Sequence, residues 1–178
     1  MASEQREGTI TIVKADFIDD VAKHLKGRKP EVAIQELEER YRTYKMAEQQ
    51  LLQKKARLLS KLPEIQKTRD AVHILLEREG GGEALLTDFE LADNVYAKAR
   101  LVGVKTVNLW LGAGVMVEYT LAEARELLDT NLANCKANLA TFNSNLETLK
   151  DYTTITEVSM ARVYNYDVEA RRAEAGKA

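Results

Sequence analysis

Two long stretches of this chain hold apolar residues in sustained three-four alternation, one on each side of a short segment of different character. The first runs from Glu31 to about Glu79 and places Ile34, Leu37, Tyr41, Tyr44, Leu51, Leu58, Leu62, Ile65, Val72 and Leu76 on one series. Glu48, Lys55 and Arg69 fall on the same series, as polar breaks that cost stability and help fix register. The second carries Leu128, Leu132, Cys135, Leu139, Phe142, Leu146, Leu149, Thr153, Thr156, Met160 and Val163 with no charged residue on the series, and is expected to end near Arg172. Thr120-Leu-Ala-Glu123 is a capping box that should start it. Each helix is then roughly 50 residues, or about 75 Å at 1.5 Å per residue. Pro63 lies inside the first and should kink rather than stop it, because the phase continues past it. Gly80-Gly81-Gly82 should end that helix.

Between the helices the period changes from 3.5 to 2. Val95, Ala97, Ala99 and Leu101 alternate along one expected strand, Val107, Leu109 and Leu111 along a second, and Val115, Val117 and Tyr119 along a third. Trp110 sits within the second of these. Gly112-Ala-Gly114 suits a three-residue hairpin loop that needs positive φ. A shorter strand at Asp88-Phe-Glu-Leu91 can pair with Val95 onward through Asp93-Asn94. Two β-hairpins result.

Two matched helices joined by a compact linker fold back most simply as an antiparallel coiled coil. Pairing positions whose numbers sum to about 200 brings seam to seam: Leu76 with Ala124, Val72 with Leu128, Ile65 with Cys135, Leu58 with Phe142, Leu51 with Leu149, and Leu37 with Val163. The hairpins would sit at one end, both outer helix ends at the other. An isolated two-stranded hairpin is marginal in water, and open strand edges invite aggregation. The segment LWLGAGVMVEY (109–119) therefore reads as half of a sheet that other subunits complete.

The outer helix ends hold four of the seven tyrosines, Tyr41, Tyr44, Tyr164 and Tyr166, with Ile34, Leu37, Met160 and Val163. Two readings fit: ordinary seam packing with a few exposed tyrosines, or a soft amphipathic surface that grips apolar segments of other chains. Residues 1–29 are expected to be a flexible segment, although Phe17, Val21 and Leu25 have the spacing of a short docking helix. Residues 30–173 would form the coiled-coil and hairpin domain, and 174–178 a flexible tail.

Several chemistries find no support in the pattern. Net charge is −2, with Lys and Arg spread along the chain, so neither a nucleic-acid nor an anionic-lipid footprint stands out. Lys54, Lys55, Arg57 and Lys61 could serve an RNA-binding arm, but a solvated helix face explains them, and a simple tether between larger proteins remains another alternative. The start MASEQREGTITIVKADF lacks a signal peptide's pattern and no stretch is long enough to span a bilayer, so a soluble cytoplasmic protein is expected, the nucleus being an open second place. Gly112-Ala-Gly114 opens like a dinucleotide fingerprint, but Val117 stands where the third glycine would. His24 and His73 have no ligand-spaced neighbours, and Cys135 reads as a small seam residue. Glu36, Glu38 and Glu39 read as a solvated face. No enzyme, metal or cofactor is expected.

The blocks DFELADNVYAKA (88–99), NLWLGAGVMVEYTLAEARELL (108–128) and TTITEVSMARVYNYDV (153–168), with KLPEIQKT around Pro63, resemble the alpha class of the prefoldin family in order and over about residues 31–172. The chain departs from that pattern at Leu101-Val-Gly-Val-Lys105, Asn108 and Gly114, which bear on turn types. The resemblance implies a mainly α fold: a long antiparallel two-helix coiled coil whose two hairpins complete an intersubunit β-barrel. It implies a hexamer with one further alpha-class and four beta-class subunits. Such a complex would take up unfolded actin and tubulin without ATP and pass them to the cytosolic chaperonin. By position, Val95 to Leu101 and Val107 to Tyr119 would build the platform, and the eight residues named at the helix ends would contact clients.

Overall fold

The computed structural model describes residues 12–79 and 84–175, apart from the side chain of Glu174. The expected end of the first helix at Gly80-Gly81-Gly82, the tail character of residues 1–11 and the last three residues of the expected C-terminal tail lie outside these. In chain order the elements are α1 (Val21–Leu25), α2 (Pro30–Glu77), β1 (Leu85–Ala92), β2 (Val95–Leu101), β3 (Thr106–Gly112), β4 (Val115–Thr120) and α3 (Leu121–Ala175). The chain is mainly helical, with two long helices flanking two antiparallel hairpins. It divides into two compact units, one of Arg57–Leu139 and one of residues up to Ala56 together with those from Ala140.

In the Arg57–Leu139 unit, Val72 and Leu76 share an apolar cluster with Ala124 and Leu128, and Ile65 packs against it. The numbers rise on one helix as they fall on the other, which is the antiparallel pairing expected from the seam. Arg69, a polar break on that seam, reaches Asp129 at 3.1 Å and Asp70 at 2.9 Å. The start of α3 follows from the sequence: the Glu123 N–H donates to Thr120 Oγ1 at 3.3 Å, while the Thr120 N–H donates back to Glu123 Oε2 at 3.1 Å. Two of the four N–H groups left free at a helix start are thereby satisfied. Pro63 lies within α2, which continues through it.

The hairpins form two separate two-stranded sheets. β1 is longer than the expected Asp88–Leu91. Leu85, Leu86 and Thr87 pair with Leu101, Arg100 and Ala99, because β2 offers them free backbone partners over its whole length. The Asp93-Asn94 turn forms as expected, with Asn94 at φ 63°. The second loop differs from expectation. Gly112 pairs with Val115, so only Ala113 and Gly114 make the turn, both at positive φ as a tight two-residue hairpin turn demands. The register also shifts between Trp110 and Gly112, so Leu111 does not share the environment of Leu109. Leu109 is buried and Leu111 is exposed.

In the other unit α2 and α3 acquire a third layer. Residues 12–29, expected to be a flexible segment, lie along the two helices. Ala15 is buried with Tyr44, Ala47 and Leu149; Ile18 and Leu25 are buried with Ala33, Leu37 and Val163. The short helix α1 is capped by Asp20, whose side chain accepts from the Lys23 N–H at 3.1 Å, and the chain leaves it through Lys26 and Gly27 at positive φ. The reason for the difference lies in the seam. Leu51 and Leu149 meet as expected, as do Leu37 and Val163. Between them stand Ala47, Thr153, Thr156 and Ser159, all buried and small, beside the buried Tyr44, and Ala33 one turn before Leu37 is small and buried too. Two helices joined by such residues leave room that another piece of chain can fill.

Candidate functional site

The first unusual surface is the β1–β2 hairpin. Its register puts Leu85, Thr87 and Phe89 opposite Leu101, Ala99 and Ala97 on one face, and Leu86, Asp88 and Glu90 opposite Arg100, Lys98 and Tyr96 on the other. The second face is mostly polar: Asp88 stands across from Lys98, and the Tyr96 hydroxyl donates to Glu90 at 3.5 Å. Only Ala97, Ala99 and Leu85 are even half-buried; Phe89 is 62% exposed, and Leu91, Val95 and Leu101 are exposed as well. A folded protein has no use for a hairpin with an open apolar face and two open edges unless something else covers them.

The β3–β4 hairpin is held differently. Val107, Leu109 and Tyr119 turn toward the helices, where Leu109 is buried with Val72, Leu121, Ala124 and Leu128, and Val117, directly across from Leu109, is half-buried. Leu109 is therefore engaged within its own chain, unlike the interface role expected of it, because the Leu121 N–H donates to the Lys105 carbonyl at 3.3 Å and draws the hairpin base onto α3. The opposite face presents Trp110, 63% exposed, beside its cross-strand partner Met116. Leu111 and Val115 at the turn are exposed too. Of the eleven residues expected to form the oligomer surface, Val95, Leu101, Trp110, Leu111 and Val115 are solvent-facing, Ala97, Ala99, Val107, Val117 and Tyr119 half-buried, and Leu109 buried.

Sequence reasoning did not assign Leu86, Phe89 and Leu91 to the platform, and all three are exposed. The signal was present. Leu85, Thr87, Phe89 and Leu91 alternate as cleanly as the β2 residues, but the expected strand began only at Asp88.

The second surface belongs to the helix-end unit. The eight residues expected there do not form one exposed patch. Val163 is fully buried, Tyr44 is 1% exposed and Leu37 is buried, while Ile34 and Met160 pack against the same cluster. Tyr44 stacks obliquely on Tyr152, ring centroids 5.7 Å apart, and its hydroxyl donates to the Val13 carbonyl at 2.7 Å. Burial raises its phenol above the ordinary range. Tyr41 is half-buried, and a hydrogen bond to the Glu157 carboxylate holds its phenol protonated to higher pH than usual. Only Tyr164, 60% exposed, and Tyr166 face solvent. Residues 12–25 account for the difference, since they cover the groove these side chains line.

Among the described residues no group of three or more His, Cys, Asp and Glu side chains comes together in a way that could hold a metal ion, and no helix is long and apolar enough to cross a membrane. His73 Nε2 lies 3.3 Å from Glu77, one turn away on α2, and Cys135 is half-buried.

Comparison with known proteins places this geometry. A family model described as prefoldin subunit matches residues 44–166. The prefoldin subunit 3 of Mus musculus is 40% identical over 173 residues, covering 96% of this chain and 88% of the mouse protein. That of Homo sapiens is 41% identical over 163 residues, covering 90% and 83%. The probable prefoldin subunit 3 of Caenorhabditis elegans is 37% identical over 166 residues, covering 91% and 89%.

Proposed function

The chain belongs to the prefoldin family of chaperone subunits, and on that premise we propose that it is one alpha-class member of a hetero-hexamer with a second alpha-class and four beta-class subunits. Both hairpins contribute to an intersubunit β-barrel platform, and the helix-end unit holds unfolded polypeptide. The complex acts in the cytoplasm, takes up actin and tubulin chains before they fold, and delivers them to the cytosolic chaperonin without ATP.

The observation that carries this reading is the β1–β2 hairpin. Its apolar face, built on Phe89, Leu91, Val95 and Leu101, is uncovered in the single chain, and both its edges carry unpaired backbone groups. Strand addition from sister chains would satisfy those edges and shut the face from water in one step. Residues Val95, Ala97, Ala99, Leu101, Trp110, Leu111, Val115 and Val117 then form or border the joint. At the helix ends, Tyr164 and Tyr166 offer the amphipathic rings that suit transient apolar contact.

The test is reconstitution with beta-class subunits, followed by native mass spectrometry and by light scattering of chemically denatured actin diluted into buffer. The proposal expects a discrete six-chain species that suppresses actin aggregation at near-stoichiometric concentration. A solitary, soluble chain that ignores those partners would overturn it.

A further inference from the structure

The way residues 12–25 lie in the groove of the helix-end unit suggests more than a structural cover. The groove holds them through buried apolar side chains and through two main-chain carbonyls. Tyr44 Oη donates to the Val13 carbonyl at 2.7 Å, and Arg162 Nη2 donates to the Asp19 carbonyl at 2.8 Å. Any polypeptide offers such carbonyls. The side chains this segment buries are Ala15, Ile18 and, from the short helix α1, Leu25, while the neighbouring Val13 and Phe17 remain exposed. The Arg162 guanidinium lies 5.1 Å from the Phe17 ring centroid, and Arg40 borders the same groove as Asp16, Asp19 and Asp20. On the groove side, Thr153 and Thr156 donate to the carbonyls of Leu149 and Tyr152 on their own helix, but Ser159 Oγ is buried with no hydrogen-bond partner. Such a groove recognises accessible main-chain carbonyls, small or branched apolar side chains and nearby acidic groups, with little demand for a particular sequence.

We propose that residues 12–25 are an intramolecular occupant of the groove formed by Tyr44, Leu37, Leu149, Val163 and Arg162, and that an unfolded polypeptide segment of the same character displaces them to bind there. This rests on the polypeptide-holding reading above and adds a gate to it. The covered groove keeps the apolar seam from water when no unfolded chain is present, and exchange opens it. Competition of this kind lowers the apparent affinity for the incoming chain by the fraction of time the groove is free.

The test uses the full chain, with and without Ile18→Asp, assembled with its partner subunits and challenged with chemically denatured actin. Hydrogen exchange at residues 21–26 reports release of the segment. With Ile18→Asp the concentration for half-maximal suppression of aggregation should fall at least threefold. A synthetic peptide of residues 12–25 added in trans should bring it back. Ala15→Asp is a second, independent release variant should the first fail to assemble. If exchange shows the segment released while suppression is unchanged or weaker, the gate is overturned and the holding reading stands. If the peptide binds the released complex but neither form holds actin, both readings fall together.

Discussion

Replacing Phe89 by Ser separates two quantities that usually change together. In the single chain Phe89 is 62% exposed, and its cross-strand partner is Ala97. Removing the ring should alter the chain's own stability by no more than about 0.5 kcal/mol, as for other exposed positions. If sister chains cover this face, the same ring goes from mostly wet to dry on assembly. Fully burying a Phe is worth about 1.5–3 kcal/mol, so losing the larger part of that costs roughly 2 kcal/mol. At 1.4 kcal/mol per decade, dissociation should strengthen about thirtyfold. Asp88→Ser, on the face opposite Lys98, is the matched control and should shift assembly by less than about fivefold, the interaction of exposed charges being worth at most about 1 kcal/mol. Sedimentation or native mass spectrometry across a dilution series measures the assembly, and a thermal melt of the free chain measures the rest. Unchanged assembly by the Phe89 variant, with a normal melt, would show that this face is not the one that sister chains cover.

Other outcomes follow from the same geometry. Tyr44→Phe keeps the ring between its neighbours but removes the bond to Val13, a net loss of about 1 kcal/mol, so amides at residues 23–26 should exchange about fivefold faster while those of the β hairpins do not change. Val163→Ala removes two methyl groups from a fully buried site and should cost about 2 kcal/mol, seen as a melting temperature lower by several degrees. Glu123 is held below the ordinary glutamate range near 4.5 by the hydroxyl and N–H of Thr120. A depressed carboxyl adds stability above its unfolded value and loses it as pH falls through its folded one, so acidification below about pH 4.5 should loosen the β4–α3 junction. Glu123→Gln, which does not titrate, should abolish that acid response when the Thr120 amide shift is followed by NMR.

Much of the fold was legible in particular residues. The sum-to-200 pairing found Val72 with Leu128 and Leu37 with Val163 because a heptad seam encodes both the face of a helix and the register of its partner. The capping box marked the start of α3 because its two reciprocal bonds need Thr120 and Glu123 three residues apart. The β2 strand was legible from end to end by its period of two. The surfaces were less so. Phe89 and Leu91 were not assigned to the platform because alternation says which residues share a face, and not whether anything lies against it. Leu109 and Leu111 looked equivalent until a register shift beside Gly112 gave them opposite fates.

The sequence by itself determined the helices, their antiparallel register, the two hairpins and the family, because each rests on local periodicity or on blocks of residues in order. Only the tertiary structure decided what Tyr44, Leu37 and Val163 face. Their seam neighbours Ala33, Ala47, Thr153, Thr156 and Ser159 are small, and the space they leave is filled by Ala15, Ile18 and Leu25 from a segment whose brief helical spacing does not say where it docks. Close packing across distant parts of a chain leaves no repeating trace along it, so a third layer of this kind becomes visible only when the parts are together.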